Sequence, residues 1–277
     1  MNKEENQNSI NLQSSTFNLQ SYHTPVMLQE CIDGLNIRPD GIYVDLTFGG
    51  GGHSREILKK LDTGKLFSFD QDRDVKSNAD RLTAEFETRF AWVEANFRYF
   101  KKYLKLYGVT HVDGVLADLG VSSHQFDTAE RGFSFRFDAN LDMRMDTTSG
   151  GETAADILNT REESDLHKIF GMYGEIQNAR TLANAVIQAR TKKKILTTGE
   201  LKAITSKYTK RGQENKYNAQ VFQALRIAVN DELKALEEML VQNEEVIKPG
   251  GRLVIMTYHS LEDKLVKNYI KNGKLFG

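Results

Sequence analysis

Short apolar runs, rich in β-branched and aromatic residues, alternate along the first half of the chain with longer segments whose apolar residues recur at helical spacing. A run of about four to eight such residues between polar turns is typical of a buried strand. Four runs predict strands at Ile42–Leu46, Lys65–Phe69, Arg89–Val93 and Asp113–Ala117. Because helical segments such as Arg98–Leu106 separate them, the pattern predicts a parallel sheet with helices on both faces.

The alternation stops after Asp118, where a polar, phenylalanine-rich loop and several helical pieces follow without strands. The earlier pattern resumes with a long helix at about Asn218–Val246, a KPGG turn and a fifth strand in RLVIMTY, which ends at Tyr258. An all-helical block between the fourth and fifth strands is most simply an inserted subdomain.

These shifts divide the chain into three parts. We predict an α/β, Rossmann-like core over residues 23–126 and 217–277, an all-helical insertion over 127–216, and a disordered tail over 1–22, which is rich in Asn, Gln and Ser. Only one more helix follows the fifth strand, so that strand is expected at an open edge of the sheet.

Composition places the chain among ordinary globular proteins, since 39% of its 277 residues are hydrophobic and 27% are charged. A net charge of −1 argues against a general nucleic-acid-coating protein, but it leaves room for a local basic patch. The single cysteine, Cys31, excludes a disulfide framework and a CxxC metal site, and no metal is predicted. With no membrane-spanning stretch and no hydrophobic signal core, the chain is expected to be cytoplasmic.

The segment IYVDLTFGGGGHSREIL, from Ile42 to Leu58, passes from an apolar strand through four glycines into a helix-forming stretch, for which Ser54 is the predicted N-cap. Glycines let the backbone approach a ligand closely, and a helix start offers free N–H groups, so this unit predicts a nucleotide or nucleoside site. No lysine follows as in a P-loop, and Ser54 stands where the dinucleotide motif has its third glycine.

A second predicted strand leads into Asp70, about 20 residues after the glycines, where an acidic residue accepts hydrogen bonds from ribose hydroxyls. An acidic residue at this offset, beside a loop that is not a phosphate loop, indicates an adenosine without phosphates. S-adenosylmethionine fits best. The alternative is a glycine-rich turn with a surface aspartate.

The carboxyl ends of parallel strands share one edge of the sheet, and ligands bind there, near the switch in strand order. The glycine loop, Asp70, Phe97 and Asp118 are therefore expected around one pocket. Taken singly, Phe97 is equally explained as core, and Asp118 as the cap of the following turn. Their convergence on one edge favours a ligand site.

The blocks HTPVMLQE, DLTFGGGGHS, DLGVSSHQFDTAERGFSF, LDMRMD and PGGRLVIMTYHSLED together resemble the bacterial 16S rRNA cytosine-N4-methyltransferase family (the RsmH or MraW type), from His23 to the last helix. The resemblance implies a class I methyltransferase fold with a helical insertion, S-adenosylmethionine as cofactor, and N4-methylcytidine in the decoding centre of small-subunit rRNA as product. By motif matching, the family's cofactor-binding positions fall on Gly51, Gly52, His53, Asp70, Phe97, Asp118 and Gln125. The family usually continues with further strands and a basic tail, which do not follow here.

On this resemblance, Asp70 accepts both ribose hydroxyls, Phe97 stacks on or flanks the adenine, and Gly51–His53 approach the methionine end. The cytosine amino lone pair is delocalised into the ring, so it must be presented in line with the S–CH3 bond while an acceptor takes an N4 hydrogen. We assign that acceptor to Asp118 or to a carbonyl in the loop that it begins. Related enzymes that methylate base amino groups have Pro-Pro-aromatic after such a residue, whereas this chain has Leu-Gly-Val.

His259, directly after the fifth strand, is the second catalytic candidate, and its alternative is a hydrogen-bonded structural role. No cysteine nucleophile is required, because attack at an exocyclic nitrogen proceeds without a covalent adduct to the ring.

The insertion carries the predicted RNA contacts. Lys192, Lys193 and Lys194 form a cluster that indicates either phosphate contact or a solvated helix face. The loop ERGFSFRF presents Arg131, Phe133 and Arg136, residue types that suit a splayed-out base.

A hydrophobic plug that joins the two domains explains the same loop equally well. The LDMRMD block is expected to tie the insertion to the core through Arg144 and its flanking acids.

The leading hypothesis is therefore an S-adenosylmethionine-dependent rRNA cytosine-N4 methyltransferase, with 16S rRNA or the small ribosomal subunit as partner. A second hypothesis is an RNA- or ribosome-binding assembly factor that keeps the cofactor pocket without turnover. An NAD-dependent dehydrogenase is disfavoured by the missing third glycine. Monomer and homodimer both stay open.

Overall fold

The computed structural model describes residues 25–275. The predicted tail at residues 1–22 lies outside this range. In the described part of the chain, no helix is both long enough and apolar enough to cross a membrane.

Five strands form one sheet: β1 (Ile42–Asp45), β2 (Lys65–Asp70), β3 (Phe90–Glu94), β4 (Val112–Asp118) and β5 (Ile247–Met256). Their order is β3-β2-β1-β4-β5, and all neighbouring strands run parallel. The first four predicted strands are confirmed to within about one residue at each end. The order switches between β1 and β4, the place where open α/β sheets bind ligands.

Twelve α-helices are present in the described range: α1 (Leu28–Leu35), α2 (Gly52–Lys60), α3 (Lys76–Phe86), α4 (Phe100–Leu106), α5 (Ser123–Asp127), α6 (Ala154–Thr160), α7 (Glu163–Lys168), α8 (Ala179–Lys192), α9 (Thr198–Thr205), α10 (Glu214–Asn230), α11 (Glu232–Val246) and α12 (Ser260–Asn272). A π-helical turn, Ile169–Tyr173, continues α7.

The sheet is covered on both faces because successive strand side chains point to opposite sides. In β1, Tyr43 packs with residues of α1, α2 and α3, whereas Val44 packs with residues of α4, α11 and α12. Leu66 and Phe67 of β2 divide between the two faces in the same way. All four side chains are buried, which confirms the predicted layered core.

The helical insertion has a hydrophobic core of its own, which runs in sequence from Phe133 to Leu225. Its buried side chains come largely from α6 to α10, and they include Val221 and Leu225, which follow the predicted end of the insertion at residue 216. We therefore propose that the insertion continues to Asp231. The other domain boundaries stay predictions.

The prediction of one long helix at about Asn218–Val246 is wrong, because the helix is interrupted at Asp231. This residue has a left-handed backbone (φ 51°), which ends α10 and begins α11. Arg226 spans the break with two 2.9 Å bonds to the carboxylate of Glu232. The break lets Val221 pack in the insertion while Leu236 packs against the sheet.

Strand β5 begins earlier than predicted. The KPGG segment, which was expected to form a turn before the strand, lies within the strand as an irregularity. Val112 pairs with Ile247, but Gly114 pairs with Arg252, so β5 accommodates extra residues there. Gly250, with φ 82°, supplies a left-handed conformation in that segment. Within the described residues β5 pairs with β4 alone, as expected for an edge strand.

Candidate active site

A cavity of about 1160 Å³ lies at the carboxyl ends of the strands. Its wall includes the glycine loop after β1, Asp70 at the end of β2, Phe97 after β3 and Asp118 at the end of β4. The tertiary structure thus brings together residues that the sequence analysis placed on one edge.

The glycine loop is held between the two strands that flank β1. Phe48 N donates to Phe69 O at 2.9 Å, and Gly49 N donates to Asp70 Oδ2 at 2.8 Å, which ties the loop to β2. On the other side, Asp118 N donates to Thr47 Oγ1 at 2.7 Å, which ties the loop to β4. The loop therefore has a defined position above the switch point.

Each predicted glycine contact has a distinct local setting. Gly51 has φ 79°, and a Cβ there would lie 2.8 Å from the ring of Phe48. Gly52 begins α2, and a Cβ there would lie 2.3 Å from Pro25. Gly50 faces open space, since a Cβ there would meet nothing within 4 Å. The loop needs glycine for its own packing as well as for access to the cavity.

The predicted N-cap Ser54 is wrong, because α2 starts at Gly52 and its N-cap is Gly51. Ser54 is fully buried inside the helix, where its hydroxyl donates to Asp45 Oδ2 at 2.6 Å and lies 2.7 Å from the hydroxyl of Ser68. It therefore satisfies a buried carboxylate and leaves the helix start to the glycines.

Asp70 is positioned by two backbone donors. Gly49 N reaches Oδ2 and Asp72 N reaches Oδ1, both at 2.8 Å. Burial raises the pKa of Asp70 to about 6, although these two N–H groups act in the opposite direction. An ionised carboxylate offers about four acceptor positions, so capacity remains for ligand hydroxyls.

Phe97 begins a 3₁₀ turn, Phe97–Tyr99, and lies partly buried in the cavity wall. It also packs against the apolar cluster on one face of the sheet, which supports the core interpretation, while its contact with the adenine stays a prediction. Asn96 organises the turn, since its side chain accepts from Arg98 N and donates to Gln71.

Gln125 lies in α5, lines the cavity and is 5% exposed. Its side-chain oxygen accepts from Ser122 N in a capping box, and its Nε2 donates to Asp72 Oδ2 at 2.7 Å. The amide therefore links the loop after β4 to the loop after β2. Its predicted contact with the cofactor stays a prediction.

Asp118 is half-buried at the cavity, and both of its oxygens have polar neighbours. The hydroxyl of Tyr258 donates to Oδ1 at 2.6 Å, and His53 Nδ1 lies 3.9 Å from Oδ2. Burial raises the pKa of Asp118, while the Tyr258 hydroxyl and the charge of His53 oppose that rise. A raised pKa brings this carboxylate closer to the range that suits a proton acceptor.

His259 has a structural task. Its Nδ1 accepts from Glu262 N at 3.4 Å and so caps α12, and its ring is 7% exposed. The helix cap directly supports a structural role for His259. Its catalytic role stays a prediction.

Three side chains form a candidate metal-binding group, since donor atoms of Glu232, His259 and Glu262 lie within 4.8 Å of one another. Because His259 Nδ1 accepts a hydrogen bond, its neutral ring carries the proton on Nε2, the nitrogen that a metal would need. Arg226 already engages Glu232, and Tyr258 N donates to Glu262. We therefore interpret these three side chains as part of a hydrogen-bonded structural contact and not as a metal site.

The ERGFSFRF loop separates into buried and exposed parts. Arg131 and Phe133 are 9% and 4% exposed, and Phe133 also lines the cavity, so the RNA contact of these two residues stays a prediction. Arg131 pairs with Asp72 and Asp74 at 3.0 and 2.5 Å. Phe133 belongs to the core of the insertion, which favours the plug interpretation for this half of the loop.

Arg136 is exposed, as are Lys192, Lys193 and Lys194 near the end of α8. Lys193 Nζ lies 2.5 Å from Glu200, so part of the charge of the cluster is neutralised. These four side chains can still reach a partner, and their RNA contact stays a prediction.

The LDMRMD block does not join the domains as expected. Arg144 pairs within the block with Asp142, at 2.7 and 2.8 Å. The connection to the core passes through Met145 instead, whose sulfur accepts from Gln71 Nε2 at 3.3 Å and whose carbonyl accepts from Arg131.

Residues 20–275 match the model of the MraW methylase family. The chain belongs to this family.

Curated relatives of the MraW methylase family cover nearly the whole chain. A ribosomal RNA small subunit methyltransferase H from Cytophaga hutchinsonii is 59% identical over 92% of this chain and 85% of its own length. The proteins of the same name from Parabacteroides distasonis and Flavobacterium johnsoniae are 55% and 53% identical, each over 92% of this chain and 83% of their own length. Among solved structures, mycolic acid cyclopropane synthase is 12% identical over 73% of this chain and 79% of its own, with a TM-score of 0.28, too low to support an inference.

For this MraW methylase, the sequence analysis missed the partners of Asp118. Tyr258 and Thr47 both contact it, and His53 had been assigned only to the cofactor. Tyr258 had a usable signal, because it directly follows the apolar part of the fifth strand and therefore falls on the same edge as Asp118. Asp72, which holds both Gln125 and Arg131, gave no comparable signal.

Proposed function

We propose that this chain transfers a methyl group from S-adenosylmethionine to the exocyclic N4 of a cytidine in the decoding centre of 16S rRNA. Family membership supports the reaction class, and the relatives' name supports small-subunit rRNA as substrate. The single observation that carries the choice of acceptor is the carboxylate of Asp118, held at the cavity beside the glycine loop.

The residues around the cavity fit the cofactor. Gly50 and Gly49 leave space for a close ligand, and Asp70 can accept from ribose hydroxyls. The cavity of about 1160 Å³ exceeds the roughly 300–1000 Å³ of a site for one small ligand, so it has room for a cofactor and a base. When bound, the cofactor supplies a methyl group that its sulfonium activates.

The protein has to hold the cytosine amino group and remove one of its protons. Asp118 is suited to this, because the Tyr258 hydroxyl fixes Oδ1 and the backbone N–H of Asp118 is tied to the glycine loop through Thr47. Hydrogen bonding of N4 to Asp118 would localise the nitrogen lone pair and direct it towards the methyl group. No covalent bond between the enzyme and the base is needed.

We further propose that Arg136 and the Lys192–Lys194 cluster contact RNA phosphates. Both are exposed on the insertion, whose core is separate from that of the sheet. Contact of cations with phosphates releases counterions and makes binding depend on salt. Oligomeric state and cytoplasmic location stay predictions.

The decisive experiment measures transfer of a labelled methyl group to small subunits, or to their rRNA, that lack the modification. Nucleoside analysis should identify N4-methylcytidine as the labelled product. Tight cofactor binding without transfer would support the assembly-factor hypothesis instead, and label at another nucleoside would contradict the proposed substrate atom.

Asp118→Asn tests the acceptor with little change of shape. We expect kcat to fall by a factor on the order of 10²–10³, because removal of a general base typically has this effect. Asp62→Asn, at an exposed surface position, is the matched control and should retain normal kcat.

A further inference from the structure

The side chain of His53 lies in a buried polar layer beneath the glycine loop, beside two carboxylates. Its ring is 6% exposed, and Nδ1 is 3.9 Å from Asp118 Oδ2. Burial raises the pKa of both Asp118 and Asp45, and the charge of His53 opposes the rise in each. Among the described residues, its Nε2 is buried without a hydrogen-bond partner.

The charged and titratable groups around Asp118 come from every neighbouring element. They are Asp45 on β1, Cys31 on α1, Tyr258 after β5 and Glu262 on α12, in addition to His53. Burial raises the pKa of Cys31 to about 11 and also raises that of Tyr258, so both stay neutral near pH 7. Of this set, only His53 can carry a positive charge.

In addition to burial, the charge of the buried Asp45 raises the pKa of the half-buried Asp118, and a cation beside them opposes that rise. The hydroxyl of Ser54 already satisfies Asp45 Oδ2, and that of Tyr258 satisfies Asp118 Oδ1. Asp118 Oδ2 is the oxygen that faces the imidazole of His53. The arrangement therefore points to an electrostatic effect of His53 on Asp118, which is distinct from a contact between His53 and the cofactor.

We propose that His53 is a positioning residue for the reaction: its charge keeps Asp118 ionised, so that Asp118 can take the proton released by the cytosine amino group. This inference rests on the proposed function. The new N–C bond is made from the N4 lone pair, the former bond pair of the methyl group stays with the donor sulfur, and one N–H proton passes to Asp118. N4 thus begins with two N–H bonds and ends with one.

His53→Gln tests the inference, because glutamine keeps a polar group of similar reach but carries no charge at any pH. We expect the acidic limb of the kcat–pH profile to move up by about one pH unit, since the loss of an opposite charge at this distance raises a carboxyl pKa by about that much or more. Activity should recover at higher pH. The Kd for S-adenosylhomocysteine should change by less than about threefold.

His111→Gln is the matched control, since this exposed histidine precedes β4 at the opposite edge of the sheet. Its profile should coincide with that of the wild type. Thermal melting establishes that each variant is folded, and His53→Asn takes the place of His53→Gln if the latter is unfolded.

A double-variant cycle with Asp118→Asn adds a readout that does not depend on the shape of the profile. If His53 acts through Asp118, His53→Gln should cause no further loss in the Asp118→Asn background. Additive losses, or a weaker cofactor Kd with an unmoved profile, would overturn the inference and leave His53 as a cofactor contact. A wild-type protein that makes no N4-methylcytidine would instead overturn the proposed function.

Discussion

At the scale of single residues, burial and hydrogen bonding give three strand-end carboxylates different tasks. Asp45 is 1% exposed and is satisfied internally by Ser54 and Thr47, so it supports the loop. Asp70 is held by backbone donors and keeps acceptor capacity towards the cavity. Asp118 has a neighbouring hydroxyl and imidazole, which suits the transfer of a proton.

Asp70 predicts how cofactor affinity depends on pH. Its pKa is raised to about 6, and the ionised form is the better acceptor for ribose hydroxyls, so affinity should be full above pH 7 and fall as the pH drops through 6. Calorimetric titration with S-adenosylhomocysteine between pH 5 and pH 8 measures this.

Asp70→Asn should weaken binding at pH 8 by about tenfold or more and abolish the pH dependence, because the charge-assisted bonds are lost. A wild-type Kd that is constant across this pH range would show that Asp70 does not bind the cofactor in its ionised form.

At the scale of elements, the strand β1, the glycine loop and α2 form one unit whose geometry depends on contacts with β2 and β4. The loop's hydrogen bonds to Phe69, Asp70 and Asp118 come from strands that are distant in sequence. Sequence alone could predict the loop from its glycines. It could not show that α2 begins at Gly52, because Ser54 is drawn into the buried layer by Asp45.

Gly51→Ala tests the packing of this unit, and Gly150→Ala is its control. Both glycines have positive φ, 79° and 81°, so alanine is strained at both by about 1 kcal/mol. Only at Gly51 would the new Cβ lie 2.8 Å from the Phe48 ring, whereas nothing lies within 4 Å at Gly150.

We therefore expect Gly51→Ala to lower the free energy of unfolding by about 1–3 kcal/mol more than Gly150→Ala, and to weaken cofactor binding as well. Urea denaturation and calorimetry provide the two measurements. Equal losses of stability in the two variants would contradict the clash with Phe48.

At the scale of the whole molecule, a buried ion pair and a helix break connect the insertion to the sheet. Arg131 reaches Asp72 in the wall of the cavity, and Arg226 bonds across the break at Asp231 to Glu232 of α11. The cavity therefore depends on how the insertion is seated on the sheet. Arg131, expected to face RNA, is part of this connection.

Arg131→Met tests the connection. It should lower the free energy of unfolding by about 3–5 kcal/mol, because Asp72 is left as a buried, unpaired charge. Arg136→Met, five residues along the same loop but exposed, should change it by no more than about 0.5 kcal/mol. Urea denaturation measures both, and a small effect at Arg131 would contradict its part in this connection and favour the RNA contact.

If the Lys192–Lys194 cluster contacts RNA phosphates, the affinity of the protein for RNA should depend on salt concentration through these residues. Changing all three residues to Ala should reduce the slope of log affinity against log salt by about two to three, since each phosphate contact contributes about 0.7–0.9. A charge-matched variant with Ala at Lys59, Lys60 and Lys65, which are exposed away from the cavity, should keep the wild-type slope. An unchanged slope in the first variant would exclude phosphate contact by this cluster.

The sequence by itself determined the first four strands, the presence of a helical block between β4 and β5, and the positions of Asp70 and Asp118, because short apolar runs and helical patterns are local and parallel strands end on one edge. The motifs also identified the family, which the comparison confirmed. Tertiary structure alone decided that Arg131 is buried, that His53 lies beside Asp118 and that Tyr258 donates to it. The physical reason is that burial and pairing depend on contacts between residues distant in sequence, such as Tyr258 and Asp118, which no local pattern encodes.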